Sequence, residues 1–465
     1  MHLVAIGGSD AGISAALRAR ELDPGCDVTV VVADAFPNFS ICGIPYYVSG
    51  EVPKWQDLAH RTIAELRATG MNLRLETTAR AVDAASQKVH VSGPDGRDEL
   101  ISYDALLIGT GAVPMRPSIE GLIGPAALGA SEGVHLLHSM GDTFELMKTV
   151  ESGPASAIIV GAGYIGLEMA EALSARGLRV TQIEQLPEVL ATLDPPLGAL
   201  IRAELEHHGV EVLCSTTVRA VHQAGSGAPG RLHVLAETPT GEISRFADLV
   251  LVVVGVRPDV DLATSAGVNL AANGAIAVDR RMRTNVASVY AAGDCVVTYH
   301  RLLGDTYLPL GTTAHKQGRI AGENALGGST EFGGSLGTQV VKVFDAVAAR
   351  TGLRDQEAVT AGLSSHTVAS EADDHKAYYP GAHKIAMRYT GDRTSGRLLG
   401  LQLVGRLGTE VSKRVDIAAT AIFHAMTIEQ MSELDLSYSP PLGSPWDAVQ
   451  VGAQAWVRDW KQQMA

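Results

Sequence analysis

Two stretches of this chain share one construction, and they begin 154 residues apart, at Gly7 and Gly161. In the first, residues 3–6 read as a short buried strand. Gly7-Gly8-Ser9-Asp10-Ala11-Gly12 follows as a tight turn, and residues 13–20 as a helix. In the second, Ala157-Ile158-Ile159-Val160 leads into Gly161-Ala162-Gly163-Tyr164-Ile165-Gly166 and another helix. A strand, a glycine turn and a helix N-terminus aim backbone N–H groups and the helix dipole at one point, which suits a pyrophosphate. One such turn is equally a plain strand-to-helix connection; two in order constrain the chain to a pair of dinucleotide-binding α/β folds. The first copy has Ser9 in place of the middle glycine. Its ribose acid is also ambiguous, because Val32 has the expected spacing and Asp34 lies two residues on. The second copy has all three glycines, and its next strand, 179–183, ends at Glu184. No Arg or Lys occurs from 185 to 200 to neutralise a 2′-phosphate, so the copy favours NADH over NADPH.

Other segments complete a pattern. Residues 106–114 read as a strand leaving the first fold, and 284–294 as a strand ending in Asp294. A helix opens at Gly311, and Gly255-Val256-Arg257-Pro258 marks a crossing back from the second fold. In the last third, 338–344, 384–389 and 398–405 read as strands, and 410–425 and 428–434 as helices, an α+β layer without a glycine fingerprint. Gly327-Gly328-Ser329-Thr330 serves as a boundary. A length of 465 residues allows about three domains. The net charge of −14 argues against nucleic-acid or anionic-membrane partners. No apolar run reaches the about 18 residues of a membrane span. The opening residues lack signal-peptide character, and four irregularly spaced cysteines suggest neither a disulfide framework nor a metal site. The expected setting is a reducing cytoplasm.

With the double fingerprint, the Ala291-Ala292-Gly293-Asp294 segment and the segment Asn38-Phe39-Ser40-Ile41-Cys42-Gly43-Ile44-Pro45-Tyr46 together, the whole chain resembles the FAD- and NAD(P)-dependent pyridine nucleotide-disulfide oxidoreductases. Within them it is similar to the single-cysteine branch of coenzyme A disulfide reductase, NADH oxidase, NADH peroxidase and polysulfide reductase. The resemblance implies a discontinuous FAD domain (1–116 and 257–327), an inserted NAD(P) domain (117–256) and a dimerisation domain (328–465). It assigns Gly7, Gly12, Asp34, Ser40, Ala79, Thr110, Gly111, Asp294, Thr313 and Ala314 to FAD. Gly161, Gly163, Tyr164, Ile165, Gly166, Glu184 and Gly255 fall to the nicotinamide nucleotide. Ser14, Arg18, Asn38 and His315 fall to the substrate, and Cys42, Tyr438, Tyr379 and Asp10 to catalysis, in a homodimer.

A two-cysteine relative would carry a second thiol five positions after Cys42; here that position is Tyr47. A redox-active Cys42 must therefore cycle through a mixed disulfide, a persulfide or a sulfenic acid. At a helix start and beside an oxidised flavin, its thiol is expected to have a depressed pKa. Cys26, Cys214 and Cys295 read as packing residues. Tyr164 either covers the flavin face or packs its helix, and Glu168 either adjoins the cofactor or begins the helix. Tyr438, before Ser439-Pro440-Pro441, reads as a residue reaching the partner's site or as an interface residue of a rigid turn; of Tyr378 and Tyr379, either can face inward. His315 reads as a substrate contact or a solvated helix-start residue. Asp10 stands where oxygen- and peroxide-reducing relatives carry histidine, and reads either as a loop charge or as a proton carrier. Three positions depart from the coenzyme A pattern: Glu21 for a cation, Ile41 for an asparagine and Trp446 for a lysine. Arg18 and Arg20 remain as candidate cations for the anionic end of coenzyme A. The expected activity is electron transfer from NAD(P)H through FAD and Cys42 to a small disulfide, persulfide or polysulfide. The alternatives are an NADH oxidase or peroxidase, and a redox-sensing flavoprotein that binds a partner.

Overall fold

Leu3, Val4 and Ala5 have no exposed surface, which requires a strand covered on both faces and so a parallel sheet. The computed structural model, which describes residues 1–464, has this arrangement twice. β1 (His2–Ile6) runs into α1 (Asp10–Leu22) and returns as β2 (Asp27–Val31), paired in parallel from His2↔Asp27 to Ile6↔Val31. The sheet order is Val289–Ala291, Ala105–Ile108, β1, β2 and Asn72–Arg74, all parallel. Its first strand therefore comes from far downstream, after the chain has left and returned. Between these passages lies a second parallel sheet, in the order Glu211–Leu213, Arg179–Ile183, Ser156–Val160, Leu249–Val252 and Val134–Leu136. Each half also carries a three-stranded antiparallel meander, 78–102 and 217–247. Ala112–Pro114 and Val256–Pro258 pair antiparallel where the chain crosses between the halves, at the crossing read from Gly255–Pro258.

The last third is a five-stranded antiparallel sheet ordered Gln339–Val343, Ala346–Gly352, Leu398–Arg406, Lys384–Asp392 and Ser365–Asp373. Helices Val411–Phe423, Ile428–Ser432 and Ala448–Met464 cover it. Trp456 and Tyr389 are fully buried beneath them, and each finds a partner for its polar tip: Trp456 Nε1–H donates to His366 O (2.9 Å) and Tyr389 O–H to Val449 O (2.6 Å). The expected strand at 284–294 shrinks to Val289–Ala291. Ser288 lies at φ 62°, a left-handed turn that interrupts the extended run.

Two packing details place the site. The helix Gly311–Ala325 crosses α1 so closely that a Cβ at Gly318 would lie 2.3 Å from Ala11 O, and one at Gly322 2.4 Å from Ala15 O. Only glycine permits this approach, and it sets His315 beside the start of α1. The short helix α2 (Ile44–Ser49), which follows Cys42, packs on Tyr164–Ala175 of the other half. Arg176 Nε fastens that contact by donating to Val48 O (2.5 Å). Among the described residues, no helix is long and apolar enough to cross a membrane.

Candidate active site

Both glycine turns are closed by backbone contacts that exclude side chains. A Cβ at Gly7 (φ +113°) would lie 2.1 Å from Gly109 O, and one at Gly12 2.0 Å from Gly7 O. In the second turn, Gly161 (φ +106°) meets Val253 O at 2.5 Å and Gly166 meets Gly161 O at 2.2 Å, whereas a Cβ at Gly163 would point into open space. The first two are needed to close the turn; Gly163 leaves room for something to approach the backbone. Glu184 is buried, with Oε2 accepting from Ala162 N (2.7 Å) and Oε1 from Leu186 N (2.9 Å), so its carboxylate is locked at the mouth of the turn. Tyr164 and Ile165 start the adjoining helix half-buried, and Thr192 Oγ1 donates to the Tyr164 hydroxyl (3.3 Å).

The first turn gathers polar groups with few internal partners. Asn38 is buried at φ 60°; its N–H donates to Gly8 O (2.6 Å), yet its Oδ1 has no partner. Burial, with the Asp10 charge behind it, pushes the Asp294 carboxyl up to about 6. Asp34 accepts from Phe36 N (2.8 Å), and Thr110 Oγ1 donates to Asp259 O (2.6 Å) beside Gly111 (φ +73°). Thr313 and Ala314 are buried in the first turn of the helix that opens at Gly311; Ala79 lies half-buried on the first meander, and Gly255 (φ +106°) sits at the crossing. Glycine backbone, an orphaned amide oxygen and a carboxylate held against burial are the donor and acceptor set that a ribityl pyrophosphate requires, so these residues fit FAD. The sequence offers no sign of Tyr307, whose hydroxyl donates to Asp294 O (2.9 Å).

Cys42 sits in the 3-10 turn Ile41–Gly43. An aromatic cluster steadies its approach: Phe36 lies 5.6 Å from Trp55 and 5.2 Å from Phe144, the latter on a helix of the other half. Ser40 N–H donates to Leu58 O (2.8 Å) and His60 N–H to Asn38 O (2.9 Å), strapping a second loop to the cysteine segment. Cys42 is the one exposed cysteine; Cys26 and Cys295 are buried and Cys214 is half-buried. The expected depression of its thiol is not supplied by this chain. Although the residue is exposed, the protein around it partly desolvates the thiol and raises its pKa, and the charges of Glu168, Asp10 and Asp294 raise it further. The start of α2 offers too little to reverse them, so a lowered pKa has to come from a bound group. Glu168 is itself pushed up to about 7, chiefly by burial, and Tyr46 O–H donates to it at 3.4 Å. The same neighbourhood pushes Tyr46 up to about 12. Beyond Glu168, Glu171 pairs with Lys342, tying this helix to the C-terminal sheet.

Asp10 Oδ1 lies 3.3 Å from His315 Nε2, and His315 Nδ1 lies 2.9 Å from Ser14 Oγ. Burial raises the Asp10 pKa, while His315 and His60 lower it. Three of the expected residues thus converge with His60, which has no sequence signal at all. Arg18 does not join them as a free cation. It pairs with Glu323 (2.6 Å) and Glu21 (3.0 Å), while Arg20 donates to Thr69 O (2.8 Å) and Cys26 O (2.7 Å). The two arginines expected to receive coenzyme A phosphates are therefore already engaged. In the C-terminal layer Tyr438 lies exposed beside Tyr378, and slight desolvation and the Tyr378 hydroxyl raise its pKa. Tyr379 instead meets His375 edge-on at 5.7 Å. The structure thus pairs Tyr438 with Tyr378, and Tyr379 with His375. Both loops hang on one buried pair, Arg414–Asp447 (2.9 Å), whose guanidinium also donates to Asp374 O (2.7 Å).

Residues 1–318 match the pyridine nucleotide-disulphide oxidoreductase family, and 338–448 match its dimerisation domain. An NAD(P)H sulfur oxidoreductase (CoA-dependent) of Pyrococcus furiosus is 34% identical over 456 residues, covering 97% of this chain and 98% of the relative. An NADH oxidase of Methanocaldococcus jannaschii is 30% identical over 458 residues, covering 98% of each. The solved structure of an NAD-dependent persulfide reductase from A. fulgidus superposes with a TM-score of 0.92 at 36% identity, over 100% of this chain and 84% of that one. With two glycine turns, a single open thiol between them and these matches along its length, the chain belongs to the pyridine nucleotide-disulphide oxidoreductases.

Proposed function

We propose that this protein is a homodimeric flavin-dependent reductase that takes electrons from NADH, in preference to NADPH, and delivers them through Cys42 to a small disulfide, persulfide or polysulfide. The observation that carries the reading is a single open thiol on a segment clamped between two dinucleotide-binding halves, with Tyr47 where a second thiol would stand. The strand order supports the expected division into 1–116 with 257–327, 117–256 and 328–465 without fixing its bounds. When bound, FAD supplies the two-electron chemistry that links a nicotinamide to a sulfur–sulfur bond. Gly7, Gly12 and Asp294 would hold it, with Asn38, expected at the substrate, moved to this set because its orphaned Oδ1 lies beside the first glycine turn, and Gly163 and Glu184 would hold the nicotinamide nucleotide by its pyrophosphate and ribose hydroxyls. Tyr164 and Glu168 line the nicotinamide side. The Cys42 thiolate attacks one sulfur of the substrate; a new S–S bond forms, the old one breaks, and the departing thiolate takes a proton. The electron pair drawn from NAD(P)H then cleaves the mixed disulfide, restoring Cys42 and releasing the second thiol. The paired His315 and Asp10 on one side, and Tyr438 from the second copy on the other, are the groups that offer protons to the departing sulfur.

The charge pattern favours an acceptor less anionic than coenzyme A disulfide, since Arg18 and Arg20 are engaged and Glu21 pairs with Arg18 and Arg319 (2.9 Å). One observation supports a second reading, reduction of oxygen or peroxide: His315 places an imidazole beside Asp10, where the relatives that do this chemistry have histidine in the turn itself. The test is anaerobic reduction of the yellow enzyme with NADH, then separate challenge with coenzyme A disulfide, a persulfide, polysulfide, oxygen and peroxide. The proposal expects a sulfur acceptor to reoxidise the flavin at a rate equal to steady-state turnover. Reoxidation only by oxygen or peroxide would establish the second reading instead.

A further inference from the structure

We infer that Asp10, His60 and His315 form a binding site for a divalent transition-metal ion of the zinc class, at the edge of the Cys42 segment. One carboxylate oxygen and one nitrogen from each imidazole all lie within 4.8 Å of one another. The Asp10–His315 edge, at 3.3 Å, is close to the about 3.4 Å that separates two ligands of a tetrahedral zinc with bonds of about 2.0–2.1 Å. Two further details fit a ligand set. His315 Nδ1 is already occupied by Ser14 Oγ at 2.9 Å, so its Nε2 is the atom turned to Asp10; ligating histidines are oriented by such a bond on the other nitrogen. The Ser14 hydroxyl donates to that nitrogen in the metal-free state and accepts from it when Nε2 carries a metal. The geometry is also built into the fold. The crossing at Gly318 and Gly322 fixes His315 against α1, and the His60 backbone is strapped to Asn38 (2.9 Å). The exposed His60 ring, 6.1 Å from the His315 ring, has to swing in to close the two remaining edges, which already lie within 4.8 Å. Among the described residues no lysine or arginine pairs with Asp10, so no fixed cation occupies the place. Two nitrogens and one carboxylate oxygen suit zinc, cobalt or nickel and leave a coordination position open; an ion there takes the atoms through which Asp10 and His315 pass a proton, so the metal-bound form relies on Tyr438 alone.

A second cluster, Glu204, His208 and Asp345, has a comparable carboxylate–imidazole edge of 3.2 Å but only one imidazole. Its imidazole is stacked flat on Phe344 (4.0 Å between centroids, 3° between planes), and Glu204 already accepts from Asp345 N (3.0 Å). It serves as an internal control.

Equilibrium dialysis of the FAD-loaded dimer against zinc, with metal analysis, tests the inference. It predicts one zinc per chain, at least tenfold weaker binding in His60→Ala and in His315→Ala, and unchanged binding in His208→Ala and in Cys42→Ser. Flavin content and the visible spectrum of each variant report whether it has folded; should His315→Ala lose flavin, His60→Ala decides alone. Unchanged binding in His60→Ala would overturn the site, as would loss of binding in Cys42→Ser, which would show capture by the thiol, or in His208→Ala, which would place the ion at the control cluster.

Discussion

Cys42 works in a setting that opposes its ionisation, chiefly through desolvation by the surrounding protein and then through the charges of Glu168, Asp10 and Asp294. The same burial makes Glu168 the residue with the most informative titration. Its folded pKa is raised from 4.5 to about 7, so across that window the folded state holds a proton the unfolded state has released. Stability then falls as pH rises from 4.5 through about 7, and the deficit is complete above it. Glu168→Gln, which keeps the shape and an acceptor for Tyr46, is expected to melt about 2–4 °C higher than the wild type at pH 8 in the flavin-free protein. The gap is expected to narrow towards pH 6; a gap independent of pH would remove the titration from the explanation. Glu184 carries a second prediction. Its carboxylate is held by two backbone N–H groups and, on the proposed function, receives the ribose hydroxyls, so replacing it by Ala together with Gln185→Arg is expected to move the NADPH/NADH ratio of kcat/KM up by about tenfold. An unmoved ratio would place discrimination elsewhere. At this scale the sequence is legible for what a residue is and silent about its surroundings. Cys42 and its missing partner at Tyr47 are plain from spacing, whereas the carboxylates that raise its thiol come from three distant segments. The engagement of Arg18 by Glu323 is invisible for the same reason: the pairing depends on a helix crossing.

The elements most legible in sequence are those with a fixed period and a glycine turn, namely the two strand–turn–helix units and the crossing at Gly255–Pro258. Less legible are strands cut by a residue in the left-handed region, such as Ser288, and the helix Ala448–Met464, whose apolar face is read only once Trp456 is seen under the sheet. The glycines divide into two kinds that the pattern alone treats alike. Gly12 closes its turn, and an added Cβ there collides with backbone; Gly163 faces open space. Gly12→Ala is therefore expected to yield protein that has lost FAD or does not fold, as read from the visible spectrum. Gly163→Ala is expected to keep its flavin spectrum and melting point and to raise the KM for NADH several-fold. The opposite assignment would reverse the roles given to these two turns.

For the whole molecule, the meaning of the fold is that no single domain owns the thiol. The cysteine helix leans on the nicotinamide half, its loop is strapped to the flavin half, and Tyr378 and Tyr438 stand exposed beside each other on the third layer. A site shared across a homodimer accounts for that exposure. Mixing inactive Cys42→Ser with slowed Tyr438→Phe subunits is then expected to form heterodimers with one intact site and to raise turnover above that of either parent; no gain after verified subunit exchange would confine each site to one chain. The discontinuity of the first half was legible, because a strand and an acid near 290 complete a pattern begun at residue 7. The tyrosine pairing was not, because it is set by the loop anchored on Arg414 and Asp447. The central claim is that electrons leave this protein through Cys42, and the most direct measurement is the reoxidation half-reaction of Cys42→Ser. NADH is expected to bleach its flavin as in the wild type, after which a disulfide or persulfide that reoxidises the wild type leaves the variant reduced under anaerobic conditions. Reoxidation of the variant at the wild-type rate would contradict the account.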